Sequence, residues 1–121
     1  MNSTVKTIMR IVLALALLVF GLNKFFNFMP MEAPEEGTFM YALIATGYMM
    51  PLLGISETAI GLMLLLNKWK GFALAWLVPI SVNIVLFHMA FDMSTIAPAA
   101  LVAVLNGVLI YANWDKFKNL F

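Results

Sequence analysis

The chain has 121 residues, of which 64% are hydrophobic and 11% charged, and its formal net charge is +1. A soluble domain carries about 25% charged residues, so this composition excludes an ordinary water-soluble fold and indicates one polytopic membrane domain. The low charge argues against a nucleic-acid partner, and the lack of cysteine excludes disulfides, thiol relays and zinc-thiolate or iron-sulfur sites.

Four apolar runs of about 17 to 22 residues each match the length that crosses a hydrocarbon core. They predict an all-α fold, an integral membrane four-helix bundle with the lipid bilayer as its surroundings. The first run, residues 5–26, has Lys6 and Arg10 near its start and closes with GLNKFF. Its beginning resembles a signal peptide, but the apolar stretch continues and no small-residue cleavage site follows. We interpret it as a retained transmembrane helix.

Residues 29–50 form the predicted outer loop and a short interfacial helix. The loop sequence MPMEAPEEG combines two prolines with three glutamates, which disfavours helix. One alternative is a single kinked helix from residue 38 to residue 66, but it would exceed the bilayer by about 13 Å. Because Gly47 is flexible and Pro51 disfavours helix at Met50, we favour an interfacial helix followed by a second crossing over residues 51–66.

The third crossing is predicted over residues 71–91, after the short basic turn NKWK. Pro79 lies inside it and removes one backbone donor. A turn over residues 92–95 leads to the fourth crossing, residues 96–114, with Pro98 in its first turn. A short amphipathic tail follows.

The basic residues predict the orientation. Lys24 falls on one side of the predicted bundle together with Glu32, Glu35, Glu36 and Asp92. The other six cations fall on the opposite side: Lys6, Arg10, Lys68, Lys70, Lys116 and Lys118. The positive-inside rule then places both termini in the cytoplasm.

Glu57 is the most informative single residue because it interrupts the apolar segment PLLGISETAIGLMLLL. Ionisable residues in a transmembrane helix face the bundle interior and usually mark function. Gly47, Gly54, Thr58 and Gly61 share its neighbourhood at helical spacing, and such small residues allow a second helix to approach. We therefore expect Glu57 to point inward as a proton-handling candidate; the alternative is a protonated carboxyl that only bonds neighbouring helices.

The remaining candidate ligand-binding residues are assigned by depth. Asn23 and His88 fall with Glu57 in the outer half of the bundle, as does Asn83. Asn83 and His88 point about 140° apart on one helix, so only one of them easily reaches Glu57. Depth favours Asn83 as the partner of Glu57, with His88 lining the mouth.

Two further residues complete the candidate set. Asn106 falls nearer mid-depth, and Asp92 is the i+4 neighbour of His88. Each candidate also has a structural interpretation: the asparagines as interhelical hydrogen bonds, and His88 with Asp92 as an anchor for a helix end. Methionines on the outer side could bind Cu(I), but with no cysteine and one histidine the sequence favours methionine as a filler of apolar gaps and predicts no metal site.

Three segments, GLNKFFNFMPM, TGYMMPLLGISETAIGLMLL and GFALAWLVPISVNIVLFH, resemble the DoxX family of small bacterial membrane proteins. The resemblance spans residues 10–118, and Glu57 occupies the place of the family's helix-two glutamate. It implies a four-helix protein of the bacterial inner membrane. It also suggests a link to quinone-coupled redox chemistry, because related subunits belong to thiosulfate:quinone oxidoreductase.

Two functions of different classes follow from these observations. The first is a membrane subunit that binds a quinone or similar lipophilic ligand in the outer half of the bundle. Glu57 would exchange a proton, Asn83 would bond a ligand carbonyl, and His88 with Asp92 would pass protons outward. The alternative is a non-catalytic structural or assembly subunit of a larger membrane complex or homo-oligomer. A small transporter is disfavoured because no internal repeat is evident.

Overall fold

The computed structural model describes residues 2–28 and 34–118, and every regular element in these residues is helical. The prediction of an all-α fold is therefore confirmed. The predicted loop around Glu32 and the last three residues of the predicted tail lie outside the described residues. The α-helices are α1 (Ser3–Phe26), α2 (Phe39–Ala45), α3 (Met49–Leu65), α4 (Lys70–Phe91) and α5 (Ala97–Ala112), and short 3-10 turns follow α4 and α5 at Met93–Thr95 and Trp114–Lys116.

The segment between the first two long helices is broken by a turn. Helices α2 and α3 meet at 87°, so the chain does not form one long helix here. Gly47, in the left-handed region with φ of 78°, lies in the turn, and glycine adopts this conformation without steric cost. Helix α3 begins at Met49, two residues before the predicted start, because Pro51 falls in its first turn, where a missing N–H breaks no helical bond.

The four longer helices alternate in direction, and their ends gather at two opposite ends of the molecule. Residues from the start of α1, the end of α3, the start of α4 and the end of α5 line one shared cavity, which is treated below. The buried core between these helices is aliphatic. Its fully buried large side chains are Leu13, Leu17, Ile60, Leu64, Leu74 and Leu77.

Two helices, α1 and α4, are long and apolar enough to cross a membrane, and the bent pair α2 and α3 makes a third only if it counts as one span. Helix α5 is apolar but has 16 residues, which at 1.5 Å per residue gives about 24 Å, less than a 30 Å hydrocarbon core. Large apolar side chains are exposed along all of these helices. The architecture is that of a membrane protein with two or three candidate spans.

Candidate functional site

Glu57 lies in the middle of α3 and is buried, with 3% of its surface exposed. Its Oε1 lies 2.6 Å from Nζ of Lys24, and this is the one ion pair within residues 2–28 and 34–118. The Lys24 side chain is 24% exposed and also donates to the Phe20 carbonyl oxygen over 3.4 Å. The carboxylate therefore faces the bundle interior and carries its own counterion.

Lys24 reaches Glu57 because it sits in the last turn of α1. Long side chains on a helix lean toward the helix N-terminus, so its Nζ is carried back along α1 into the interface with α3. The sequence placed Lys24 on the outer side without a partner. A single base on that side and a single acid within the second crossing were the signal that could have identified this pair.

Close approach of α1 and α3 makes the pair possible. A Cβ added to Gly21 would lie 2.8 Å from the Thr58 backbone nitrogen, and one added to Gly54 would lie 2.7 Å from the Phe25 ring. Gly61 also faces α1, since a Cβ added there would lie 3.0 Å from the Ala14 carbonyl oxygen. Gly54 and Gly61 thus allow a second helix to approach closely, as predicted. Gly47 instead belongs to the α2–α3 turn.

Asn83 is exposed on α4, and its Nδ2 donates over 2.7 Å to the Pro79 carbonyl oxygen of the same helix. In the described parts of the chain, no hydrogen bond or ion pair joins it to Glu57, which is paired with Lys24. The structure thus does not bring Asn83 and Glu57 together. The Asn83 amide instead bonds the carbonyl oxygen one turn earlier in its own helix.

His88 and Asp92 close the turn between α4 and α5. The Thr95 hydroxyl donates to Asp92 Oδ2 over 2.6 Å, and Ser94 donates to Oδ1 over 3.1 Å. His88 Nδ1 lies 3.2 Å from both the Asp92 carbonyl oxygen and Thr95 Oγ1. Since the Thr95 hydroxyl hydrogen is donated to Asp92 and a carbonyl oxygen only accepts, these contacts fit the His88 tautomer that carries its hydrogen on Nδ1.

The polar side chains of this turn bond to one another. The Thr95 hydroxyl, and then that of Ser94, holds the pKa of Asp92 below its ordinary value, because both donors stabilise the carboxylate. The His88 ring is half-buried against the edge of Phe87. These contacts fit the structural interpretation of the histidine and aspartate, which is to anchor a helix end.

Asn106 is buried between α4 and α5. Its Nδ2 donates to the Leu74 carbonyl oxygen and its Oδ1 accepts from Ser81 Oγ, both over 3.0 Å. These bonds tie the two helices together. Asn23, the other predicted asparagine, is half-buried on α1 next to Lys24, and its carbonyl oxygen accepts from the Asn27 N–H that ends the helix.

A groove of about 340 Å³ runs between α4 and α5 beside Asn106. At Gly107, which borders it, an added Cβ would meet nothing within 4 Å. The groove lies along the middle of α4. It could not be predicted from Gly107, since a glycine on a helix also occurs where two helices are in close contact. Two residues of its lining, Ser81 and Asn106, are polar, and the others are apolar. The groove is lined by Val78, Ser81, Val82, Val85, Leu86, Ala103, Asn106, Gly107 and Ile110.

Comparison with known proteins adds no assignment. No protein-family model, curated protein or solved structure matches the chain. Within the described ranges, no group of three or more histidine, aspartate or glutamate side chains is arranged to hold a metal ion. The resemblance to DoxX stays a prediction, and the function must be argued from the geometry.

Proposed function

We propose that the chain is a DoxX-like protein of the bacterial inner membrane that crosses the bilayer four times with both termini in the cytoplasm. The alternating directions of α1, α3, α4 and α5 support this topology, and local thinning of the bilayer accommodates the shorter helices. Single cysteines in the thiol-free chain test it. Labelling of intact cells is expected at position 35 and not at position 68; the reverse would overturn the orientation.

Within this topology, the proposed function is to bind a quinone or similar lipophilic ligand that carries a carbonyl group. The groove between α4 and α5 is the observation that carries it, because binding sites for such ligands are mostly apolar with few polar groups. Asn106 uses one Nδ2 hydrogen on Leu74, and its second hydrogen is the donor we assign to a ligand carbonyl. The proposed site thus lies between α4 and α5, and its lining includes none of Glu57, Asn83 and His88.

The link to redox metabolism rests on the family resemblance, and we propose it only for the larger assembly in which the chain would serve as the binding subunit. Glu57 remains a proton-handling candidate by its burial, with Lys24 as the group that would stabilise its charged form. The Lys24–Glu57 pair also supports a purely structural role. Quinone labelling of the Lys24→Met/Glu57→Leu variant tests whether this pair contributes to ligand binding.

Occupying the groove with protein atoms is the direct test of ligand binding. Gly107→Phe fills the space beside Asn106, and Val104→Phe adds the same ring to the same helix at a position that is 60% exposed. Quinone is extracted and quantified from each purified protein, and a soluble quinone analogue is titrated. We expect binding to fall at least about tenfold for Gly107→Phe and to stay within about twofold for Val104→Phe. Equal binding by both variants would sink the proposal.

The second candidate is a non-catalytic assembly subunit. The observation that favours it is that two buried polar side chains already have partners inside the chain, Glu57 in Lys24 and Asn106 in Leu74 and Ser81. Native mass measurement after mild cross-linking tests it. A defined complex without quinone would favour assembly, and a monomer that retains quinone would favour ligand binding.

A further inference from the structure

The end of the molecule opposite the Asp92 turn contains a second cavity, of about 230 Å³. It lies where α1 and α4 begin and where α3 and α5 end. Three cations line it: Lys6, Arg10 and Lys70. The remaining polar lining is neutral and comes mainly from hydroxyl and amide side chains, such as those of Thr7 and Asn67.

The three cations are gathered without neutralising acids. All are half-buried, whereas Lys68, at the same end, is exposed. Within residues 2–28 and 34–118, no carboxylate lies within ion-pair distance of any of them. Lys70 is repelled by Lys6, Arg10 and Lys116 and attracted by Asp115. Holding like charges together in a partly dry cavity is unfavourable unless an anion enters it.

The start of α4 adds backbone donors beside Lys70. Helix α4 begins at Lys70 with no side-chain cap and no acidic residue in its first turn, and α1 also has no acid in its first turn. The first N–H groups of α4 are therefore available to an anion. Arg10 orients the site, because its Nη1 donates to the Leu64 carbonyl oxygen and, over 3.3 Å, to that of Leu65.

We infer that this cavity binds a phosphate group, held by Lys6, Arg10 and Lys70 at the N-terminus of α4. A basic pocket between transmembrane helices at the proposed cytoplasmic surface matches the headgroup of an anionic phospholipid. A free phosphate or phosphate ester offers the same chemistry. This inference is independent of the α4–α5 groove, since the two cavities share no lining residue.

The test uses variants matched in charge. Lys6→Gln/Lys70→Gln removes two lining cations, and Lys68→Gln/Lys118→Gln removes two exposed cations that do not line the cavity. Lys6→Arg/Lys70→Arg keeps the charge and controls for folding. Each protein is reconstituted in phosphatidylcholine bilayers with a minor share of phosphatidylglycerol, and retained lipid is measured by native mass spectrometry. Inorganic phosphate is titrated separately in a neutral detergent, with thermal stability as the readout.

For a lipid headgroup, we expect phosphatidylglycerol retention to fall at least about tenfold in Lys6→Gln/Lys70→Gln. Retention should stay within about twofold in the exposed-lysine and arginine variants. Stabilisation by phosphate that only Lys6→Gln/Lys70→Gln abolishes, with lipid retention unchanged, would support the same site and identify a free phosphate. Equal losses in both glutamine variants, or no response to either probe, would overturn the inference.

Discussion

The two helix pairs of this bundle hold polar groups in different ways. The α1–α3 interface contains a charged pair, Lys24 and Glu57, between helices that glycines bring into close contact. The α4–α5 interface contains only neutral hydrogen bonds through Asn106 and leaves open space at Gly107. The same residue type, glycine, closes one interface and opens the other, because Gly21 faces another backbone and Gly107 faces the groove.

This difference assigns different tasks to the two pairs. A buried ion pair is unfavourable unless both charges stay together, so the α1–α3 pair fixes a register that tolerates little movement. The neutral hydrogen bonds of Asn106 hold α4 and α5 less strictly than the ion pair holds α1 and α3. The open groove beside them can admit a ligand without separating charges. We therefore expect disruption of α1–α3 to affect stability and disruption of α4–α5 to affect ligand binding.

The largest expected effect comes from removing one charge of the ion pair. Lys24→Met leaves the Glu57 carboxylate unpaired at 3% exposure, and we expect the unfolding free energy to fall by about 3–5 kcal/mol. Glu57→Gln should cost less, because the partly exposed Lys24 can turn its ammonium toward the polar end of the helix. Reversible unfolding in mixed detergent measures both changes. A greater loss for Glu57→Gln would contradict this account.

Replacing both charged residues shows how much of the loss in Lys24→Met comes from the unpaired charge. Lys24→Met/Glu57→Leu eliminates the unpaired charge, and replacing a buried pair with apolar residues is often neutral or stabilising. The double variant should therefore be more stable than Lys24→Met alone. If the loss in the double variant equals the sum of the losses in Lys24→Met and in Glu57→Leu alone, the two side chains do not interact in the folded protein.

The next effect compares the two kinds of glycine. Gly21→Val would force a side chain against the Thr58 backbone nitrogen, and we expect a loss of about 1–3 kcal/mol. The Cβ that Gly107→Ala adds would have no atom within 4 Å. This variant should leave the unfolding free energy unchanged or raise it by about 0.5–1 kcal/mol, because alanine favours helix. The same unfolding measurement applies. Similar losses in both variants would remove the distinction between the interfaces.

A smaller effect compares two asparagines that the sequence treats alike. Asn106→Leu removes both bonds between α4 and α5 and should cost about 0.6–2 kcal/mol. Asn83→Leu removes one exposed bond within α4 and should change stability by less than about 0.5 kcal/mol. Should Asn83→Leu prove the more damaging variant, Asn83 would have a partner that this structure does not contain.

The smallest effect is a pH response at the α4–α5 turn. Because the pKa of Asp92 is lowered in the folded state, its contribution is present above the ordinary aspartate pKa and is lost as pH falls through the lowered value. Thr95→Val removes the donor that lowers the pKa of Asp92 most. The Asp92 carboxyl should therefore titrate at higher pH in this variant than in the native protein. Carbon NMR of the Asp92 carboxyl measures both titrations, and identical midpoints would exclude the proposed cause.

Sequence reasoning identified the all-α class and the inward orientation of Glu57, because both follow from local composition and from the cost of exposing charge to lipid. It missed the pairing with Lys24, which depends on how two helices separated by a bent segment come together. It located the helix break between Gly47 and Pro51, and Gly47 makes the turn, but its expectation that Pro51 disfavours helix at Met50 was wrong, because a proline in a first turn is harmless. Packing between helices, such as the space at Gly107, leaves no periodic signal in the sequence.

Photoaffinity labelling with an azido-quinone is the most direct test of the division between the two helix pairs. The protein is labelled in native-like bilayers, digested, and the modified residues are identified by mass spectrometry. We predict labels on α4 and α5 at residues that line the groove, lost in Gly107→Phe and retained in Lys24→Met/Glu57→Leu. Labels concentrated around Lys24 and Glu57, and abolished by that double variant, would contradict the account.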